Sequence, residues 1–259
     1  MAPSAKPLPQ SSPSGNAWTD TRLIVALDVS SASEADSIVV QLKGLVHSYK
    51  VGMQLYTAAG PEIVRGLVRS GHEVFLDLKY HDIPNTVASA VGEAARLGVS
   101  MLTVHASGGT KMLKAAAEAA SSANRQLHVL AVTVLTSMAQ DDLTETGVQR
   151  AVVDQVVALG TMALEAGCAG IVSSAHEVKA LRATLGSNFL AVTPGVRPAG
   201  SAHGDQARVV TPAEAIAAGA SHIVVGRPIT AAKDPAAAAR LILEEMQSLK
   251  PQRSPKVSS

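Results

Sequence analysis

The chain of 259 residues carries a formal net charge of +1 and is 47% hydrophobic but only 2% aromatic. This near-neutral charge gives no indication of a nucleic-acid or membrane-surface binder, and the scarcity of aromatic residues removes the stacking platforms that single-strand binders use. The single cysteine, Cys168, excludes an internal disulfide framework and a cysteine-rich zinc site, so a reducing cytoplasm is the expected compartment.

The two ends of the chain differ in composition from its middle. Residues 1–21 are rich in proline and serine and contain no apolar block of signal-peptide type or of membrane-spanning length. Residues 249–259 have a similar composition, and both ends are predicted to be disordered tails. We therefore expect one folded domain over residues 22–248, a length common for a single barrel-type domain.

Short apolar runs rich in β-branched residues alternate with Ala-rich helical patterns. The eight apolar runs cover residues 23–29, 46–53, 72–78, 100–106, 127–135, 168–174, 188–194 and 221–227. The clearest helical patterns cover residues 86–98, 110–123 and 148–167. Four glycines come just before a predicted strand and are candidates for ending the preceding helix: Gly71, Gly98, Gly167 and Gly219.

This alternation predicts an α/β fold, a single-domain (β/α)8 TIM barrel. The rival is an open doubly wound sheet, which would favour a Gly-rich dinucleotide fingerprint after the first strand, where this chain has Asp28-Val29-Ser30. Sites in a barrel lie at the C-terminal ends of the strands, and polar residues end several of the apolar runs here. They are Asp28, Lys50, Asp77, Lys79, His105, Thr136 and Arg227.

The segment VFLDLKYHDIPNT (74–86) is an apolar strand that ends in three charges. Because side chains alternate along a strand, Asp77 and Lys79 share a face with Phe75. The opposite face is entirely aliphatic and is expected to meet the helices. The face with Asp77 and Lys79 is therefore expected to point into the mouth of the barrel.

Asp28 and Lys50 are expected to reach the same mouth, because Asp28 shares a strand face with Ile24 and Ala26 and Lys50 lies in the second strand. A lone Asp-x-Lys pair is most simply a solvated ion pair worth about 0–1 kcal/mol. Several charges buried together need partners. The expected alternating network comprises Lys50, Asp77, Lys79 and Asp82. A fixed ammonium in such a network can protonate a developing carbanion.

The other informative region lies near the C-terminal end of the predicted barrel. The loop-like segment 193–212 carries Arg197 and Gln206, and long loops at a barrel mouth are often lids. The last strand ends in Gly226 and Arg227. Barrels commonly bind phosphate after strands seven and eight, and arginine adds a bidentate contact. Taken singly, each arginine is also compatible with a surface position and the glycine with a tight turn.

Seven segments resemble orotidine 5′-phosphate decarboxylase, in chain order. They are ALDV (26–29), YKVGMQLY (49–56), FLDLKYHDIPNT (75–86), VTVLTSM (132–138), VTPGVRP (192–198), GDQARVVTP (204–212) and VVGRPIT (224–230). The resemblance covers essentially all of residues 22–240. It implies a (β/α)8 homodimer with shared active sites. It also implies decarboxylation of orotidine 5′-phosphate to uridine 5′-phosphate in pyrimidine biosynthesis, with neither a metal nor an organic cofactor.

The resemblance also implies a catalytic role for each member of the charged set. Lys79 resembles the family's proton donor. Lys50 and Asp77 resemble its charged partners, and so does Asp82, whose counterpart in the family comes from the other subunit.

Further residues match the family's substrate contacts. Ile83 and Thr86 match residues contributed together with the second subunit's aspartate, and Thr136 resembles a contact to the pyrimidine. Asp28 and Lys50 resemble contacts to the ribose hydroxyls. The residues that resemble the phosphate grip are Arg197, Gln206, Gly226 and Arg227.

Two alternatives remain open. One is a Mg²⁺-dependent sugar-phosphate decarboxylase or synthase on the same scaffold, whose second strand carries an acidic residue where this chain has Lys50. The positive charge of Lys50 would repel the metal. The other is a non-catalytic phosphate-binding or regulatory barrel. His81 and His105 are assigned no chemical role.

Overall fold

The computed structural model describes residues 22–123, 126–198 and 210–248. Eight parallel strands close into a barrel in chain order, which confirms the (β/α)8 fold and excludes the open sheet. The strands are β1 (Leu23–Ala26), β2 (Ser48–Gly52), β3 (Glu73–Tyr80), β4 (Met101–His105), β5 (His128–Val132), β6 (Gly170–Val172), β7 (Leu190–Thr193) and β8 (His222–Val225). The tails predicted at 1–21 and 249–259 lie outside the described residues.

Helices follow the strands around the barrel. They are α1 (Ala32–Gln41), α2 (Met53–Ala59), α3 (Glu62–Arg69), α4 (Pro84–Leu97), α5 (Gly109–Ser122), α6 (Gln140–Glu145), α7 (Val152–Glu165), α8 (Ala175–Leu185), α9 (Pro212–Ala217), α10 (Arg227–Thr230) and α11 (Pro235–Gln247). The three predicted helical patterns correspond to α4, α5 and α7, and the four predicted terminal glycines have φ between 83° and 102°. No helix in these described ranges is long and apolar enough to span a bilayer.

The two faces of the strands pack into different cores, as the alternation predicted. Ile24, Ala26 and Phe75 belong to a cluster inside the barrel, together with apolar residues from β4, β5, β7 and β8. Val74 and Leu76 point the other way and pack against the helices. The interior cluster forms a buried apolar floor beneath the C-terminal strand ends.

Strands β3 and β4 do not keep a constant register. Leu76 pairs with Leu102, but the next pair joins Tyr80 to Val104, so three residues of β3 face one residue of β4. Strand β3 therefore extends past the predicted end at residue 78. Within this irregularity, Lys79 has a φ of 52° and is the only non-glycine residue with positive φ in the described part of the chain. Such a backbone conformation costs roughly 1–2 kcal/mol and is characteristic of functional sites.

At the opposite end of the barrel, Arg182 of α8 ties several chain segments together. Its guanidinium donates hydrogen bonds to the carbonyls of Ser187 (3.1 Å), Phe189 (3.0 Å) and Gly219 (3.0 Å). It also donates to Oγ of Ser221 at 3.0 Å and lies 4.2 Å from the centre of the Phe189 ring. The sequence patterns gave this arginine no role, because its partners come from two separate loops.

Replacing Arg182 with methionine is expected to lower the free energy of unfolding by about 2–4 kcal/mol, because partly buried carbonyls lose their donors. Urea unfolding at neutral pH measures this change. Lys179→Met is the matched control, since Lys179 is exposed on the same helix and its loss should cost less than about 0.5 kcal/mol. Equal costs for the two variants would contradict the role of Arg182.

Candidate active site

A cavity of about 540 Å³ opens where the strands end. Its volume lies within the range of about 300–1,000 Å³ typical of small-molecule sites. The cavity brings together eight of the residues that the sequence singled out: Asp28, Lys50, Asp77, Lys79, Thr136, Arg197, Gly226 and Arg227. Residues 100 or more positions apart in the sequence thus line one space.

Four side chains form a row of alternating charges at one side of this cavity. Lys50 Nζ lies 2.8 Å from Asp28 Oδ1 and 3.6 Å from Asp77 Oδ2. Lys79 Nζ lies 2.9 Å from Asp77 Oδ1. The side chain of Asp77 is only 14% exposed and that of Lys50 10%, whereas that of Asp28 is 52% exposed. The inner part of the row is therefore shielded from water, and its charges are compensated by one another.

The pKa of Asp77 reflects this environment. Burial alone would raise the pKa, but the ammonium groups of Lys50 and Lys79 and the hydrogen bonds from Lys79 and Thr103 together outweigh it. The net result is a pKa below the ordinary aspartate value. Asp77 therefore carries its negative charge at neutral pH in spite of its burial.

Asp82, Ile83 and Thr86 lie outside this arrangement. All three are exposed, and none lines the cavity. Asp82 Oδ1 accepts a hydrogen bond from the backbone N–H of Ile83 at 2.6 Å, and Asp82 forms no ion pair with the described residues of its own chain. Within one chain, Asp28 rather than Asp82 completes the alternating network. A contribution of Asp82 to the site of a second subunit stays a prediction.

The rest of the cavity lining includes apolar and basic side chains. Val134 and Leu135, which follow β5, form an apolar wall next to Thr136, and Arg197 and Arg227 add two positive charges to the lining. Arg197 is 8% exposed, and its backbone N–H donates to the carbonyl of Val210 at 2.9 Å, so the described segments on either side of residues 199–209 are hydrogen-bonded to each other. Gln206 lies outside the described residues.

The family model described as "Orotidine 5'-phosphate decarboxylase / HUMPS family" matches residues 21–242. The chain belongs to this family. It is 51% identical to orotidine 5′-phosphate decarboxylase of Moorella thermoacetica, over 88% of this chain and 93% of the relative. It is 52% identical to that of Halorhodospira halophila, over 87% and 95%. The crystal structure of orotidine 5′-phosphate decarboxylase from Lactobacillus acidophilus has a TM-score of 0.79 and 40% identity, covering 88% of this chain and all of that chain.

Two residues at this site, Gln54 and Thr103, were not singled out by the sequence patterns. Gln54 of α2 lines the cavity, and its Nε2 donates to Ser30 Oγ at 3.1 Å. In the sequence, the only indication that Gln54 belongs to the site is its position just after β2, which ends at the mouth of the barrel. Thr103 is hydrogen-bonded to Lys79 and Asp77 of the charged row. The sequence does not indicate this role, because a single threonine in an apolar run is typical of any strand.

His81 and His105, which the sequence analysis assigned no role, lie close to each other, and His105 is near the charges of Lys79 and Asp77. The ring centroids of His81 and His105 are 5.5 Å apart. Burial lowers the pKa of His105, the charges of His81 and Lys79 lower it further, and Asp77 opposes them. His105 therefore adds no positive charge to the site at neutral pH.

Gly52 makes room for the pair between Lys50 and Asp28. A Cβ atom at this position would lie 2.9 Å from Lys50 Nζ and 3.0 Å from Asp28 Oδ1. A methyl group there must displace the ammonium, which is the flexible end of a long side chain. The absence of a side chain at residue 52 therefore helps to set where that ammonium lies.

We expect Gly52→Ala to move the Lys50 ammonium away from Asp28 at a cost in unfolding free energy of about 1 kcal/mol. The control is Gly66→Ala in α3, where an added Cβ meets nothing within 4 Å and should stabilise the helix by about 0.5–1 kcal/mol. Urea unfolding and a crystal structure of the Gly52 variant measure the two effects. An undisturbed Lys50–Asp28 pair in that variant would refute the expectation.

Proposed function

We propose that this chain is a carboxy-lyase that converts orotidine 5′-phosphate to uridine 5′-phosphate in pyrimidine biosynthesis. The observation that carries the proposal is the 2.9 Å pair of Lys79 and Asp77, which lines the same cavity as Arg227. Family membership supports the same reaction, since the relatives at about half identity are named orotidine 5′-phosphate decarboxylase.

The cavity offers each part of the substrate a complementary surface. Arg197, Gly226 and Arg227 bind the phosphate, joined by Gln206, which lies outside the described residues. Asp28 and Lys50 bind the ribose hydroxyls. The pyrimidine lies against Thr136 and the apolar wall, with its C6 atom toward Lys79.

The reaction needs a positive charge at one defined atom. When the bond from C6 to the carboxylate breaks and CO2 leaves, its electron pair stays on C6, where no adjacent carbonyl can accept it. The ammonium of Lys79 stabilises this carbanion and then transfers a proton from Nζ to C6, which forms the C–H bond of the product. Because Lys79 is already held by Asp77, little reorganisation accompanies the charge development.

Asp77 has a second effect on the same step. Its carboxylate lies beside the position of the substrate carboxylate, so two negative charges face each other before the reaction. Departure of neutral CO2 removes this repulsion. The two lysines keep Asp77 ionised, so the repulsion persists at the pH at which the enzyme works.

The exposed segment after β3 supports a homodimer with shared sites. Asp82, Ile83 and Thr86 match the family's substrate contacts, but they are exposed and do not line the cavity of their own chain. Ile83 is 67% exposed, and Met53, which begins α2 at the same end of the barrel, is 56% exposed. Association of two copies through this end would bury both side chains and bring Asp82 to the partner's Lys79.

The Mg²⁺-dependent alternative fits the donor set less well. The Lys50 ammonium pairs with both Asp28 and Asp77, which are the carboxylates that a cation in the mouth would need. Across the described ranges, no three His, Cys, Asp or Glu side chains are grouped to hold a metal ion. Because the Lys50 ammonium already pairs with both carboxylates, we propose a reaction that uses no metal ion.

The proposal is tested by following the ultraviolet absorbance of orotidine 5′-phosphate with the purified chain and a chelator present. Turnover that persists with the chelator supports the proposal. Activity that requires added Mg²⁺ would favour the sugar-phosphate alternative. Binding of uridine 5′-phosphate without turnover would indicate the non-catalytic barrel.

Lys79→Ala is expected to lower kcat by at least about 10⁴-fold, because the variant loses both the proton donor and the charge that faces C6. The same absorbance assay measures kcat, and circular dichroism checks the fold. Lys114→Ala is the control, since that exposed lysine of α5 lies 3.8 Å from Glu118 and does not line the cavity. A Lys79 variant with near-normal turnover would refute the role of proton donor.

Mixing Asp82→Ala chains with Lys79→Ala chains is expected to recover activity if each site uses both subunits. A mixed dimer has one site with both residues intact, so about a quarter of the wild-type activity should return at equal concentrations when chains pair at random. Native mass spectrometry confirms that mixed dimers form. Mixed dimers without recovered activity would contradict shared sites.

A further inference from the structure

The hydroxyl of Thr103 links the two residues at the centre of the site. Thr103 Oγ1 accepts a hydrogen bond from the backbone N–H of Lys79 at 2.9 Å and donates one to Asp77 Oδ1 at 3.0 Å. The residue is 1% exposed and does not line the cavity. Thr103 therefore acts on the site from behind and makes no contact with a bound substrate.

The break in register between β3 and β4 explains why a side chain is needed there. Asp77, Leu78 and Lys79 stand opposite Thr103 alone, between the pairs of Leu76 and of Tyr80. The N–H of Lys79 donates to a side-chain oxygen instead of a carbonyl of the neighbouring strand. A buried N–H without a partner would cost roughly 1–3 kcal/mol. The hydroxyl thus supports the left-handed conformation of Lys79.

The same hydroxyl restricts the orientation of Asp77. Oδ1 accepts hydrogen bonds from Lys79 Nζ and from Thr103, while Oδ2 faces Lys50 Nζ at 3.6 Å. Because Thr103 has one hydroxyl proton and its oxygen already accepts from Lys79, that proton is directed at the carboxylate. Contacts from three sides hold the plane of the Asp77 carboxylate, and Thr103 provides the one that comes from a rigid, fully buried strand position.

We propose that Thr103 is a positioning residue for the decarboxylation, which holds the Lys79 backbone and the Asp77 carboxylate in the geometry for proton transfer to C6. The inference rests on the proposed function. A displacement of about 1 Å of a catalytic group can cost on the order of 10²-fold in rate. The contribution of Thr103 is therefore expected in kcat, whereas contacts to the phosphate and ribose, and with them KM, stay intact.

Three variants separate this role from a purely structural one. Thr103→Val removes the hydroxyl at nearly constant volume, and Thr103→Ser keeps it. Thr133→Val is the matched control, because Thr133 directly follows β5, is 6% exposed, and its hydroxyl donates to the carbonyl of Val172 at 3.2 Å. The control thus loses a comparable buried hydrogen bond that touches neither Asp77 nor Lys79.

The measurement is kcat and KM for orotidine 5′-phosphate, with thermal unfolding of each variant. We expect Thr103→Val to lose roughly 10- to 100-fold in kcat with KM changed less than about threefold, while Thr103→Ser and Thr133→Val stay within about threefold of wild type in both constants.

Equal kcat losses in Thr103→Val and Thr133→Val would overturn the proposal, and so would a serine variant as slow as the valine variant. If neither Thr103→Val nor Thr103→Ala folds while Thr133→Val does, the hydroxyl supports the barrel and not the site, which also overturns it. A wild-type chain without activity on orotidine 5′-phosphate would instead refute the proposed function.

Discussion

The ion pairs of the Asp77 carboxylate with two ammonium groups are the interaction on which the whole site depends. Asp77 Oδ1 lies 2.9 Å from Lys79 and Oδ2 lies 3.6 Å from Lys50. Removing the carboxylate would take from Lys79 its partner at 2.9 Å and leave Lys50 with Asp28 alone, and removing either lysine would leave a buried carboxylate less compensated. The proposed chemistry uses this mutual dependence, because the cation that stabilises the carbanion is the one that the carboxylate already holds.

The barrel makes such a cluster possible by separating regular from irregular structure. The apolar interior cluster fixes the strands below the mouth, whereas the register of β3 and β4 breaks at the level of the charges. The left-handed Lys79 lies within that break, and backbone strain of this kind persists only where surrounding contacts enforce it. The packed interior cluster and the irregular register of β3 above it together place the side chains of Asp77 and Lys79 in the cavity lining.

Much of this arrangement follows from the sequence by simple rules. The β-branched runs predicted eight strands, and alternation along β3 predicted that Asp77 and Lys79 share the face that points into the barrel. The register break could not be predicted, because it depends on how two strands pair and not on either strand alone. The role of Thr103 depends on that break. Asp82 is three residues after Lys79, yet the chain turns into α4 before it can return to the mouth.

A crystal structure of the chain with bound uridine 5′-phosphate is the sharpest test of Lys79 as the proton donor. We expect C6 of the pyrimidine to lie within about 3.5 Å of Lys79 Nζ, with the phosphate on Arg227 and the Lys79–Asp77 pair intact. We also expect Asp82 to be the aspartate of a second subunit nearest to that site. A pyrimidine whose C6 points away from Lys79, or a Lys79 ammonium turned into bulk solvent, would rule out this role.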